Sequence, residues 1–284
     1  MTRPKVFAGL GFGVSALSFA SIIIRVLPAP SLVIAAGRLG LASLILAPLF
    51  WFGFGQRREE LRQVNWGLAI LSGVLLAGHF GLWIESLKRT SVASSVMLVA
   101  LNPIFVAVLA PWLLQERLTW RLGLAIGLGA VGAVVIGWPG LGSAGTTVGN
   151  LLAIGGAICA AGYLMAGRRV RPKLALVSYS YIVYTISAVI LIGGALLMHQ
   201  RFTGYQPRVY GLILLLAIGP QLIGHTSLNW ALRYLNAPVV AVAVLGEPVG
   251  ATILAWLILG QPPTLFEVIG GAIVGAGIYL AVTS

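Results

Sequence analysis

Along the chain, apolar runs of about twenty residues alternate with short breaks rich in arginine, glycine, proline and polar residues. Within each run the apolar positions are continuous and do not alternate, which predicts helices rather than the strands of a membrane barrel. A hydrocarbon core about 30 Å thick takes about 20 apolar residues per helix. On that measure the pattern predicts ten spans. Five lie near 6–25, 31–52, 66–87, 92–112 and 121–138, and five near 149–167, 176–198, 209–231, 238–259 and 265–282. The opening segment, with Arg3 and Lys5 ahead of the uncharged run from Val6 to Ile24, has the flanks of a signal peptide. Its run is long enough to span and more of the same follows, so it reads as a retained first helix.

Composition sharpens this. Only 8% of the 284 residues are charged and 59% are apolar or aromatic, whereas a soluble domain carries about 25% charged residues. Ten spans take up about 200 residues and leave only short connections. A soluble enzyme, a nucleic-acid-binding module and a receptor ectodomain are therefore excluded. The one cysteine, Cys159, rules out an internal disulfide and a CxxC metal knuckle.

The formal net charge of +12 reads as topology and not as a nucleic-acid footprint. With the N-terminus inside, twelve basic residues fall on the cytoplasmic side: Arg3, Lys5, Arg57, Arg58, Arg62, Arg117, Arg121, Arg168, Arg169, Arg171, Lys173 and Arg233. Five fall outside (Arg25, Lys88, Arg89, Arg201 and Arg208), and Arg38 lies within a span. Both termini are expected in the cytoplasm. The basic segment Arg168 to Lys173 is expected to be a short loop touching anionic lipid.

Shifting the chain by 145 residues places Lys88 on Arg233, Pro103 on Pro248, Thr119 on Thr264 and Gly132 on Gly277. His79 meets His225 at a shift of 146, a one-residue slip expected in a loop. Each half holds five spans, an odd number, so the halves 1–140 and 141–284 are expected to be inverted repeats. Two dipeptides correspond: Asn102-Pro103 within the fourth span and Glu247-Pro248 within the ninth. Proline removes a backbone N–H and frees a carbonyl one turn earlier. Matched broken helices, each with a polar residue at the break, point to a transport site near the bilayer midplane. The plainer alternative is that both prolines only kink packed helices.

Further motifs attend these breaks. Gly246-Glu247-Pro248, Leu259-Gly260-Gln261, Thr264, Glu267 and Gly270-Gly271 follow one another in the second half. Asn102-Pro103, Gln115-Glu116-Arg117, Thr119 and a glycine-rich run from Gly123 do so in the first, and Pro30 with Arg38 opens the second helix. The whole chain resembles a tandem of EamA repeats, as in the drug/metabolite exporters, and within them the YddG-like branch that exports aromatic amino acids. The resemblance implies ten helices, no tightly bound cofactor, a small-molecule substrate and a multi-pass place in the bacterial inner membrane, as a monomer or homodimer. It also implies a structural or gating ion pair for Arg38, with Glu85 or with a substrate carboxylate. Gln261 departs from the glutamate usual after Leu-Gly, which Glu116 keeps in the first repeat.

An ionisable side chain at membrane depth costs roughly 2.5 to 3.5 kcal/mol or more, so each one needs a reason. Glu247, beside a proline in mid-span, is a candidate for proton coupling or for binding a substrate amine. Otherwise it is a neutral acid bonded to a freed carbonyl. His79 and His225 are candidates to donate, accept or shuttle protons, or simply to bond between helices. Two histidines alone fall short of a metal site, and none is expected. Gln221, His225 and Asn229 are spaced by four and share a helical face. Trp83, Trp230 and Tyr163 could stack on an aromatic or cationic substrate. The cavity is expected to be lined by Ser15, His79, Trp83, Asn102, Tyr163, Gln221, His225, Asn229 and Glu247, from spans one, three, four, six, eight and nine. Trp51, Trp66 and Trp138, at span ends, are expected in the interfacial belt.

Gly127 to Gly132 reads GxGxxG, yet no strand precedes it, so it is not a dinucleotide loop. Gly123 with Gly127, and Gly271 with Gly275, read as small faces for close helix approach. No HExxH or GxSxG motif and no aspartate occur, which argues against a membrane-embedded enzyme. A passive channel would show rings of repeated ligands. The expected function is a secondary transporter exporting small amphipathic metabolites by alternating access, amino acids including aromatic ones foremost, with organic cations or drugs as the alternative.

Overall fold

The structure, a computed structural model, describes residues 3–90, 92–116, 118–138, 147–260 and 262–283. Arg117, Gln261 and the boundary expected at residues 140 and 141 lie outside the described residues. The chain is an all-helical membrane protein. Among the described residues, ten segments are long and apolar enough to cross a bilayer: Arg3–Arg25, Ser31–Phe52, Trp66–Arg89, Ser94–Leu113, Trp120–Gly137, Thr147–Val170, Leu176–Leu197, Pro207–Ala231, Ala237–Ile258 and Leu265–Val282. They are called spans 1 to 10 below, and each falls within a few residues of its predicted position. Phe12, Leu44, Phe52, Trp112, Leu197 and Leu257 are exposed along their outer faces, as are Trp51, Trp66 and Trp138 at span ends.

Proline governs where the spans break. Span 4 is helical over Val92–Val99 and again over Asn102–Leu113. Pro103 cannot donate to the Val99 carbonyl one turn earlier, and the Asn102 side-chain amide reaches that carbonyl instead, at 3.4 Å. Span 9 breaks in the same manner, between Ala237–Val244 and Gly246–Leu259, just before Pro248. Span 1 is interrupted at Ser18, whose hydroxyl bonds back to the Val14 carbonyl at 3.1 Å.

Span 8 departs from the expected regular helix. Between Pro207–Leu216 and Thr226–Ala231 it widens into a π-helix over Ala217–His225. Pro220 lies inside this stretch and has no N–H for the ordinary i to i−4 bond, so the backbone accommodates an extra residue per turn. The one-residue slip between His79 and His225, expected in a loop, thus has room within the span itself.

Spans 5 and 10 approach almost backbone to backbone. A Cβ on Gly132 would lie 2.7 Å from the Gly270 carbonyl oxygen, and one on Gly270 would lie 2.7 Å from that of Gly132. A Cβ on Gly277 would lie 2.8 Å from the carbonyl oxygen of Ala125. Gly123, Gly127 and Gly275, expected as small faces, take no part in this seam within the chain. A Cβ at any of these three would meet nothing within 4 Å, and one at Gly271 only ordinary van der Waals contacts. The seam runs along the neighbouring glycines because Gly132 and Gly270 are on the facing sides of their helices.

Candidate functional site

The breaks in spans 4 and 9 and the π-helix of span 8 converge on one cavity of about 40 Å³. Arg38, His79, Trp83, Asn102, Tyr163, His225 and Glu247 line it, with an apolar wall that includes Leu17, Ala20, Leu164, Leu228 and Val244. Each polar residue is delivered by a distinct local device. Asn102 and Glu247 stand at the restart of a broken helix. His225 ends the π stretch, and His79 and Trp83 are one turn apart on span 3.

Arg38 is fully buried and enters from span 2. Its Nε donates to Gln221 Oε1 at 2.8 Å, and its guanidinium carbon sits 4.1 Å from the centre of the Phe80 ring. These two contacts fix the plane of the guanidinium, whereas its Nη1 and Nη2 have no protein partner. The Glu247 carboxyl is within electrostatic reach of Arg38, yet no ion pair within 4.0 Å joins the two.

His79 Nδ1 lies 3.0 Å from the Gly156 carbonyl. A carbonyl only accepts, so the hydrogen of that bond is on Nδ1. The His79 ring stacks on Trp83 with centroids 5.8 Å apart and lies 6.2 Å from the ring of His225. Among the described residues no three His, Cys, Asp or Glu side chains gather as a metal site.

Six of the nine cavity residues expected from sequence line the cavity, and three do not. Ser15 is corrected to the outer surface, where its hydroxyl bonds to the Gly11 carbonyl at 3.0 Å. Gln221 is one shell behind, holding Arg38. Asn229 belongs to a buried network, accepting from the Tyr163 hydroxyl and donating to Tyr184 at 3.3 Å and Ser180 at 3.4 Å. Trp230, one of the candidate stacking rings, packs edge-on against Tyr234 and over Gly9 of span 1, away from the cavity. The expected pairing of Arg38 with Glu85 is also corrected: Glu85 pairs with Arg89 at 2.5 Å. A partner four residues along the same helix is always at hand.

A second groove, of about 380 Å³, lies near the end of the bundle where span 1 finishes and span 10 starts, lined in part by Ser21, Arg25, Val96, Met97, Pro248 and Thr252. Ser21 and Pro248 of the groove follow Ala20 and Glu247 of the cavity in sequence. The opposite end, which carries Arg3 and Val282, is fastened. There Arg168 Nε meets Glu116 Oε1 at 2.6 Å, and Arg168 also donates to the Leu232 carbonyl at 3.0 Å. Glu116 Oε2 accepts from Ala237 N–H at 3.1 Å. Nearby, Glu60 accepts from Ala175 N–H at 2.8 Å and from the Ser178 hydroxyl at 2.5 Å. The sequence offered Arg168 only as a basic loop residue and Glu116 only as part of a motif; nothing in it paired them.

Ten apolar helices, several of them broken around a buried polar cavity, are the frame of a protein that handles a polar molecule within the membrane. The chain matches the EamA-like transporter family over residues 6–138 and 147–283 and belongs to it. It is similar to an uncharacterized transporter of Bacillus subtilis, YyaM, with 25% identity over 253 residues covering 87% of this chain and 83% of that protein. It is also similar to a probable terminal-alkyne amino-acid exporter of Streptantibioticus cattleyicolor, 23% identical over 278 residues covering 98% and 87%. A crystal structure of a protein shares the fold with a TM-score of 0.82 at 18% identity, covering 99% of this chain and 97% of that one. The chain is thus a multi-pass protein of the bacterial inner membrane. These relatives carry it to the family and not to the YddG-like branch.

Proposed function

We propose that this protein is a secondary transporter that exports small amphipathic metabolites, amino acids including aromatic ones foremost, by alternating access between two inverted five-helix repeats, 1–140 and 141–284. The observation that carries this reading is the cavity between the two matched helix breaks, Leu101 and Leu245, holding side chains of both charge signs. Further support comes from the start of spans 5 and 10. Thr119 and Thr264, one shift apart, each cap a helix by accepting a backbone N–H three residues on. The twelve-to-five excess of basic residues puts both termini, and hence the latched end, in the cytoplasm. On that topology the groove opens outward. The relative named as an amino-acid exporter supports the substrate class.

Export of organic cations or drugs is the second reading, favoured by Glu247 and the rings of Trp83, His79 and Tyr163. Against it stands Arg38: two like charges about 6 Å apart repel by about 3 kcal/mol at an effective dielectric of 20.

The purified protein in liposomes should exchange labelled phenylalanine or tryptophan saturably. Absence of amino-acid exchange from folded protein, with exchange of an organic cation in its place, would overturn the substrate class. If Glu247 couples transport to protons, an imposed pH gradient accelerates net flux and Glu247→Gln abolishes that acceleration. A flux indifferent to the gradient leaves facilitated diffusion as the mode.

A further inference from the structure

Among the described residues, eight buried side-chain polar atoms have no partner in the protein. Six of them belong to this one site: Arg38 Nη1 and Nη2, Trp83 Nε1, Asn102 Oδ1, Gln221 Nε2 and His225 Nδ1. A buried polar group without a partner costs about 1–3 kcal/mol, so a cluster of this size marks a surface meant to be met by something else. A cavity of about 40 Å³ has room for about three waters, which would satisfy these atoms by hydrogen bonding but would leave its two formal charges without a counter-charge.

The chemistry of the set is divided. Arg38 and Trp83 present only donors, and the guanidinium edge is already aimed: Gln221 occupies Nε and Phe80 covers one face. What remains free is the pair Nη1 and Nη2, the geometry that takes the two oxygens of a carboxylate side by side. Glu247 and Asn102 Oδ1 present acceptors, suited to an ammonium. The two formal charges share the cavity and do not neutralise each other by contact. A simple cation leaves Arg38 uncompensated, and a simple anion does the same to Glu247. A ligand that carries both charges compensates both. The apolar wall of Leu17, Ala20, Leu164, Leu228 and Val244 is left for a hydrocarbon side chain.

We propose that the cavity is a receptor for the zwitterionic head of an α-amino acid, with Arg38 and Trp83 holding the carboxylate and Glu247 and Asn102 the ammonium. This rests on the reading of the chain as an amino-acid transporter and assigns the atoms that do the recognising.

The test uses the whole purified protein. Thermal stabilisation and binding are measured with the twenty standard L-amino acids, then with the amide and the deaminated acid of the best binder, and counterflow is followed in liposomes with the same compounds. At least one amino acid should bind, and removing either its carboxylate charge or its ammonium should weaken binding at least about tenfold, as expected for losing a charge-assisted hydrogen-bonded contact. Arg38→Gln should erase the preference for acid over amide, and Arg38→Lys should restore it in part. Should the Arg38 variants fail to fold, Trp83→Phe keeps an aromatic face, removes the N–H along with half of the indole, and should lower affinity for the acid more than that for the amide. An amide that binds and exchanges as well as its amino acid overturns the zwitterion receptor and leaves amino-acid transport standing. If no amino acid binds while tetraethylammonium binds and exchanges, both fall.

Discussion

Replacing Glu116 with alanine is expected to open the end of the protein that carries the termini. This carboxylate uses both its oxygens: it meets the Arg168 guanidinium at 2.6 Å and caps the start of span 9 by accepting from the Ala237 N–H. The pair is largely shielded, with side-chain exposures of 24% for Arg168 and 12% for Glu116. Removing one partner of a buried pair costs about 3–5 kcal/mol, because the survivor is left uncompensated. Arg168 keeps its bond to the Leu232 carbonyl and some solvent, so about 2 kcal/mol is the expected loss. That is a shift of about thirtyfold in the balance between latched and open forms. Spin labels at Arg121 and Arg233, both exposed at this end, in a Cys159→Ser background, should report a new, longer distance. Glu116→Gln, which keeps an acceptor for Ala237 but loses the charge, should lie between. An unaltered distance distribution in Glu116→Ala would remove the latch from the mechanism.

The second large effect concerns stability. Gly132→Ala and Gly270→Ala each drive a methyl group to within 2.7 Å of the opposing carbonyl oxygen. Backbone is the obstacle on both sides, so relief requires spans 5 and 10 to separate. Overpacking of this kind costs about 1–3 kcal/mol. Each variant should melt several degrees below the wild type in detergent. Gly127→Ala is the control: the same chemical change on the same helix meets open space and should be neutral or mildly stabilising, since alanine is the better helix former by about 1 kcal/mol. Equal losses at Gly132 and Gly127 would show that the close approach of spans 5 and 10 is not what makes Gly132 necessary.

Span number, span limits and the two proline breaks could be read from the chain because each depends on a local property: twenty apolar residues, or a proline with no N–H to give. Most of the cavity could be read too, since Asn102, Glu247, His79 and His225 are polar residues in places where polarity is expensive. The failures share a different cause. Ser15 was assigned inward although span 1 is bent one turn later, at Ser18, and a single serine does not reveal which face is inward. Trp230 is a ring like Trp83 and Tyr163, and composition alone does not say that it packs on Tyr234 and over Gly9. Glu85 is not the partner of Arg38; within the protein that partner is the amide of Gln221, 183 residues away. No periodicity carries information about a contact of that span. The Glu116 and Arg168 pair is equally invisible, because each has a sufficient explanation alone.

The shift of 145 residues that sets Asn102 against Glu247 sets Arg38 against Val183. Under that shift the cavity's arginine and its glutamate each occur once, in different parts of the chain, with the apolar wall as a third side. Three unlike surfaces around one small space have a handedness. A tetrahedral carbon bearing a carboxylate, an ammonium and a hydrocarbon group satisfies all three in one configuration, and its mirror image satisfies only two. The breaking of twofold likeness at Arg38 thus gives each of the three groups a different counterpart, so that L- and D-enantiomers of one compound are expected to bind unequally.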